Sequence, residues 1–208
     1  MRSKLKSKEE FCYIFFKGIA YKQRHSTRHC KSLTTLSEVL SFHLIMIKIV
    51  EANTKEHIEN AKELIREYAQ SLEFDLGFQD FDKEMENFPG QYASPRGCLY
   101  VALDANQTIG CVALRDLGQG VCEMKRLYVK PSFRGQKVGK LLAEIVIKAA
   151  RDMRYDFMRL DTIPSMKQAN MLYDALGFKQ IAPYRFNPIE GATFFELNLK
   201  KEIVYAKT

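Results

Sequence analysis

The run from Val121 to Ala149 limits the fold of this chain more than any other stretch. "VCEMKRLYVK" has the β-rich character of a strand and is closed by Pro131. The loop "SFRGQKVGK" follows, with glycines at 135 and 139. Val138, Leu141, Leu142, Ile145, Val146 and Ala149 then recur at helical spacing. Strand, glycine loop and helix in that order point to an α/β domain. At the joint, the helix presents unpaired N–H groups and the positive end of its dipole, which suits an anion. Two familiar phosphate loops are excluded. A P-loop needs G-x-x-x-x-G-K-[ST], but Gly135 and Gly139 enclose three residues and Leu141 stands where the hydroxyl belongs. The dinucleotide fingerprint G-x-G-x-x-G does not occur. A bare glycine pair leaves both an anion site and a plain tight turn open.

Regular elements flank this run on both sides. "MIKIVEA" reads as a strand, and Asn53 with Glu56 predicts a reciprocal helix cap. Ile58, Ala61, Ile65, Tyr68 and Leu72 predict an amphipathic helix over 54–72. Residues 73–97 mix aromatics, acids, Gly and Pro, and read as a loop, a short helix near 80–87 and a second loop. "CLYVAL", the turn "DANQ" and "TIGCVALRDL" form a hairpin, and "GQG" turns the chain into the strand before Pro131. After the long helix, "FMRLDT" reads as a strand. "SMKQANMLYDALGF" reads as a helix with Ser165 and Gln168 as a capping box, Met166, Ala169, Tyr173 and Leu176 inward, and Gly177 as the stop. Strands near 178–182 and 192–199 complete the pattern. No internal repeat or low-complexity tract is present.

Charge divides the chain. Residues 1–45 hold nine Lys and Arg against three Glu, so most of the formal net charge of +7 belongs to this segment. It reads as a basic, loosely ordered extension, or as a segment upstream of a translation start at Met46, with the domain proper over 46–208. Its basic character raises RNA or a membrane surface as a partner, but no recognisable nucleic-acid motif accompanies it. No apolar run is long enough for a membrane-spanning helix. The five cysteines have no C-x-x-C spacing, which argues against a disulfide framework and a zinc site and points to reduced thiols in the cytoplasm. After Met46 the sole histidine is His57, so a histidine mechanism lacks support, and no cysteine has a histidine near it in sequence.

"EMKRLYVKPSFRGQKVGKLL", followed by "LYDALGF", resembles the GCN5-related N-acetyltransferase (GNAT) superfamily. The resemblance runs from Met46 to about Lys200. The acetyl-CoA loop of that family reads R/Q-x-x-G-x-G/A. Arg134 and Gly139 match its ends, and Lys137 stands where a glycine is usual. The fold this implies is a mixed, mostly antiparallel central sheet flanked by helices, with the fourth and fifth strands splayed apart. The implied activity is transfer of acetyl from acetyl-CoA, as co-substrate, to a small-molecule or protein amine by direct attack, with no metal. The resemblance places the pyrophosphate on the N–H groups of Arg134, Gly135, Gln136, Lys137, Val138, Gly139 and Lys140. It places the pantetheine arm beside Leu127, Tyr128 and Val129. Tyr173 matches the tyrosine that often protonates the leaving thiolate; its other reading is a core tyrosine.

Glu123 is the candidate base. Period-2 alternation puts it on one face with Lys125, Leu127 and Val129; an ion pair with Lys125 or Arg126 is the alternative. Asp161 is the second candidate. Many relatives carry Asn where this chain has Met166. The acceptor region carries Phe74, Phe78, Phe81, Phe88, Arg96, Tyr184, Arg185 and Asn187, which suit an amine bearing a carboxylate or simply a core. A homodimer is compatible with the resemblance. The competing reading is a regulatory module that binds acyl-CoA without turnover.

Overall fold

The protein is described by a computed structural model, which covers residues 47–72 and 74–200. The basic extension and the start at Met46 lie outside the described residues. Among the described residues, seven strands form one sheet: β1 (Ile47–Glu51), β2 (Cys98–Asp104), β3 (Gln107–Gly118), β4 (Val121–Val129), β5 (Phe157–Thr162), β6 (Lys179–Ile181) and β7 (Thr193–Asn198). Their order is β1-β2-β3-β4-β5-β7-β6. All neighbours are antiparallel except β4 and β5. The α-helices of the described residues are α1 (Lys55–Gln70), α2 (Phe81–Glu86), α3 (Val138–Asp152) and α4 (Lys167–Ala175). The α/β expectation with a mostly antiparallel sheet therefore holds.

The helices cover opposite faces. Ala61, Leu64 and Ile65 of α1 and Met85 of α2 pack on Leu99, Val101, Cys111, Ala113 and Tyr128. On the other face, Val138, Leu142, Val146 and Ile147 of α3 and Tyr173 of α4 pack on Val112, Leu114, Cys122, Met124, Met158 and Leu160. The i, i+4, i+8 spacing of α3 produces this stripe, and truncating Leu142, which is fully buried, to Ala costs about 2–5 kcal/mol. Helix α3 carries the chain from β4 back to β5, so those strands run parallel.

Two caps differ from expectation. Thr54, not Asn53, caps α1: its Oγ1 accepts the His57 N–H at 3.2 Å. Adjacent residues can both serve as caps, and the extended backbone at Thr54 decides between them. The Ser165–Gln168 box does not form. Met166 is the cap of α4 and has no side-chain cap bond, because its N–H closes a turn onto Ile163 O and starts the helix one residue later.

Two irregularities in β4 shape the centre of the sheet. Pairing with β5 stops at Glu123↔Arg159, so the backbone of β4 beyond Glu123 faces a gap. On the other edge, Ala113 pairs Lys125 and Cys111 pairs Tyr128, so β4 holds one residue more than β3. This is a β-bulge at Arg126, whose φ is 56°. The extra residue reverses the alternation that follows. Glu123 and Lys125 therefore share the α1/α2 side with Tyr128, whereas Leu127 and Val129 pack on the α3 side. The expected single face of Glu123, Lys125, Leu127 and Val129 is corrected on this ground.

Candidate active site

The gap between β4 and β5 lies between two sets of polar residues. On the α3/α4 side is the glycine loop. Gly135 (φ 79°) and Lys137 (φ 63°) are both left-handed, which turns the chain sharply into α3. Only a glycine adopts that conformation without strain; Lys137 carries a cost of roughly 1 kcal/mol or more. Arg134 Nε donates to Val129 O at 3.1 Å and its guanidinium lies 5.7 Å from the Tyr128 ring centroid, tying the loop to the end of β4. No side chain caps α3, so its first N–H groups point outward beside this loop. Two buried polar atoms at the neighbouring end of β5 and on α4 make no hydrogen bond among the described residues: Thr162 Oγ1 and Asn170 Oδ1. Asn170 Nδ2 donates to Ile163 O at 3.2 Å. Neither group was a sequence-derived candidate, because nothing in the local pattern reveals which polar groups go unpaired.

On the α1/α2 side sits Glu123, with no solvent exposure. Its Oε2 accepts Arg115 Nε at 2.6 Å and its Oε1 accepts the Tyr184 hydroxyl at 2.6 Å. Arg185 Nε lies 3.6 Å from Oε1, an electrostatic contact without a hydrogen bond. The ion pair is thus with Arg115 and Arg185, rather than with Lys125 or Arg126. Burial pushes the Glu123 carboxyl up, but Lys125, Arg115, Arg185 and the Tyr184 bond together outweigh it and hold it below the ordinary carboxylate range. Asp161 accepts Arg185 Nη2, and Asn187 Nδ2 at 2.8 Å. The β6–β7 loop is thereby anchored to both strands that border the gap.

Lys125 is almost fully buried, and its Nζ donates to Gln79 Oε1 at 2.7 Å. Burial pushes this amine down, and Arg126, Arg185 and Arg115 add to that against Glu123, leaving it at about 7. Arg126, at the bulge, turns its side chain under α2. Nε and Nη2 donate to Glu84 at 2.8 and 2.7 Å, and Phe81 stacks on the guanidinium at 5.1 Å. Tyr92 completes the set by donating to Glu84 Oε1 at 2.9 Å.

Tyr173 is 8% exposed and packs against Phe178 and Phe195. Burial pushes its phenol up, with Tyr68 and Asp161 as lesser causes, so it keeps its proton at neutral pH. Its hydroxyl makes no hydrogen bond among the described residues. Tyr68 of α1 reaches Met166 Sδ at 4.0 Å, so the position of the usual asparagine bridges α4 to α1. Of the acceptor-region residues read from sequence, Tyr184, Arg185 and Asn187 meet the site, whereas Arg96 pairs with Asp116. Arg115, opposite Glu123 on β3, and Lys125 on β4 also join it, with Gln79 from a distant segment. No group of metal-ligating side chains occurs among the described residues.

A split parallel pair with an uncapped helix beside it is the arrangement that the sequence resemblance implies. The family model described as the acetyltransferase (GNAT) family matches residues 61–178. The chain belongs to the GNAT acetyltransferase family. An uncharacterised N-acetyltransferase of Schizosaccharomyces pombe is 39% identical over 157 residues, spanning 74% of this chain and 96% of that protein. A GNAT-family acetyltransferase from Staphylococcus aureus superposes with a TM-score of 0.61 at 24% identity, covering 74% of this chain and 99% of its own. The PaiA N-acetyltransferase of Thermoplasma acidophilum, solved with coenzyme A, superposes with a TM-score of 0.57 at 18% identity, covering 73% and 98%. These last two likenesses establish the fold, and the family model establishes the class of enzyme, an acetyltransferase.

Proposed function

We propose that this GNAT enzyme moves the acetyl group of acetyl-CoA onto a primary amine by direct attack within a ternary complex. The observation that carries the reading is the end of β4–β5 pairing at Glu123, with the uncapped start of α3 on one side and a buried carboxylate on the other. The N–H groups from Arg134 to Lys140 suit a pyrophosphate. The backbone at Leu127, Tyr128 and Val129 suits a pantetheine arm laid beside it like an added strand. Thr162 and Asn170 offer it further hydrogen bonds, standing in for the missing asparagine at Met166. That a structural neighbour is solved with coenzyme A supports this reading.

The roles divide as follows. The amine nitrogen attacks the thioester carbon, the new C–N bond forms and the C–S bond breaks. A β4 backbone N–H in the gap stabilises the oxyanion. Glu123 takes the proton lost by the amine, relayed through the Tyr184 hydroxyl that covers its Oε1. Tyr173 gives its proton to the departing thiolate, and its raised phenol keeps that proton available until sulfur charge develops. Free-thiol release from acetyl-CoA across a panel of amines tests the reading. Tyr173→Phe should lower turnover at least about tenfold with acetyl-CoA affinity unchanged. Unchanged turnover would remove Tyr173 from the mechanism.

A further inference from the structure

Between β3 and the α2 segment lies an open pocket of about 310 Å³, lined by Gln79, Lys83, Glu84, Gln91 and Arg115 among others. It adjoins Glu123 through Arg115 and Lys125 through Gln79. We propose that this pocket takes a carboxylate on the acceptor, held by Arg115, with Lys125 behind it through Gln79, so that the substrate is a free amino acid rather than a plain amine. The inference rests on the acetyl-transfer reading above and deepens it.

The charges of the site do not balance. Arg126 is matched by Glu84, and Arg159 by Glu196. That leaves Arg115, Lys125 and Arg185 against Glu123 and Asp161. With Lys125 protonated, at and below about pH 7, three cations thus face two carboxylates where Glu123 is fully buried and Lys125 is 7% exposed. Buried charges are normally paired, because desolvation is costly without a counter-charge. The Lys125 ammonium has a neutral partner, the Gln79 amide oxygen. Arg115 commits Nε to Glu123 and Nη1 to Gln91, while Nη2 makes no hydrogen bond among the described residues. The acidic residues that line the pocket are already committed: Asp80 to Lys83 and Glu84 to Arg126.

An incoming carboxylate supplies the missing negative charge and accepts from a guanidinium, whose planar fork fits it. A plain alkylamine arrives as a cation beside surplus positive charge and neutralises nothing. The volume suits a free amino acid; a peptide bearing an acidic side chain beside its terminal amine presents the same charge and is distinguished by assay.

The test uses the full chain, acetyl-CoA and free-thiol detection. The acceptors are the common amino acids, the amines left when their carboxylate is removed (isopentylamine for leucine, phenethylamine for phenylalanine), and short peptides with acidic first residues. The expected result is a kcat/KM about a hundredfold higher for at least one free acid than for its decarboxylated partner. In Arg115→Gln that ratio should fall at least about tenfold, mostly through KM for the acid. Equal or better use of the decarboxylated amines, or selective use of the peptides, overturns the inference and leaves acetyl transfer standing. Thiol release with no acceptor of any kind overturns both. The wild-type ratio decides the matter even if the variant does not fold.

Discussion

Replacing Glu84 with glutamine should unsettle this fold more than most single changes. Glu84 and Arg126 are 5% and 3% exposed and meet in a two-pronged ion pair, with Tyr92 as a third donor to the carboxylate. Burial pushes the Glu84 carboxyl up, but the hydrogen bonds and charge of Arg126 outweigh it, so the group stays ionised. Glu84→Gln keeps the shape and removes the charge, which strands a buried guanidinium. Breaking such a pair costs about 3–5 kcal/mol, against a total stability of roughly 5–15 kcal/mol for an ordinary domain. Urea unfolding of wild type and variant measures the loss. Arg126→Met should cost a similar amount. Glu84→Gln combined with Arg126→Met should cost far less than the sum of the single changes, because no charge is left alone. The wild-type pair also has a pH signature. Its folded carboxyl lies below the unfolded value, so its contribution is present above the unfolded value and is lost as pH falls through the folded one. A Glu84→Gln loss below about 0.5 kcal/mol, or strictly additive double substitutions, would refute the argument.

Other expectations follow from single residues. Lys125 is held at about 7, so between there and the ordinary lysine value the unfolded chain binds more protons than the folded one. Its penalty is full below pH 7 and fades as pH rises; between pH 7 and 9 the wild type should gain roughly 2 kcal/mol relative to Lys125→Met, and parallel pH curves would contradict this. Lys137→Gly should relieve the left-handed strain and raise the thermal midpoint by about 2–4 °C, whereas a fall would show that the lysine's own contacts outweigh the strain. Gly135→Ala has open space around the added methyl but the wrong φ, so it should lower stability by about 1 kcal/mol, and a neutral result in urea unfolding would contradict this.

Periodicity made much of the architecture legible. The hairpin of β2 and β3, the inner stripe of α3 and the turn after α4 all follow from apolar spacing and turn residues. The glycine loop was readable because left-handed Gly135 is a residue that suits its backbone. The bulge was not. Arg126 occupies a left-handed position that sequence rules reserve for Gly or Asn, so strict alternation carried Leu127 and Val129 to the wrong face. Three-dimensional partnerships were equally hidden. Lys125 with Gln79 and Arg126 with Glu84 join segments far apart in sequence, and Arg115 meets Glu123 only through the register of β3 on β4. Tyr184 and Arg185 were marked as acceptor-region residues, yet their attachment to Glu123 and Asp161 depends on how the β6–β7 loop folds over two strands.

The central claim is that the loop at the start of α3 holds coenzyme A, and calorimetric titration of acetyl-CoA into the full chain tests it most directly. ATP and NAD serve as controls, since both carry phosphates but lack the pantetheine arm that β4 is proposed to bind. Selective micromolar binding of acetyl-CoA is the expected result. Absence of binding, or equal binding of the three, would contradict it.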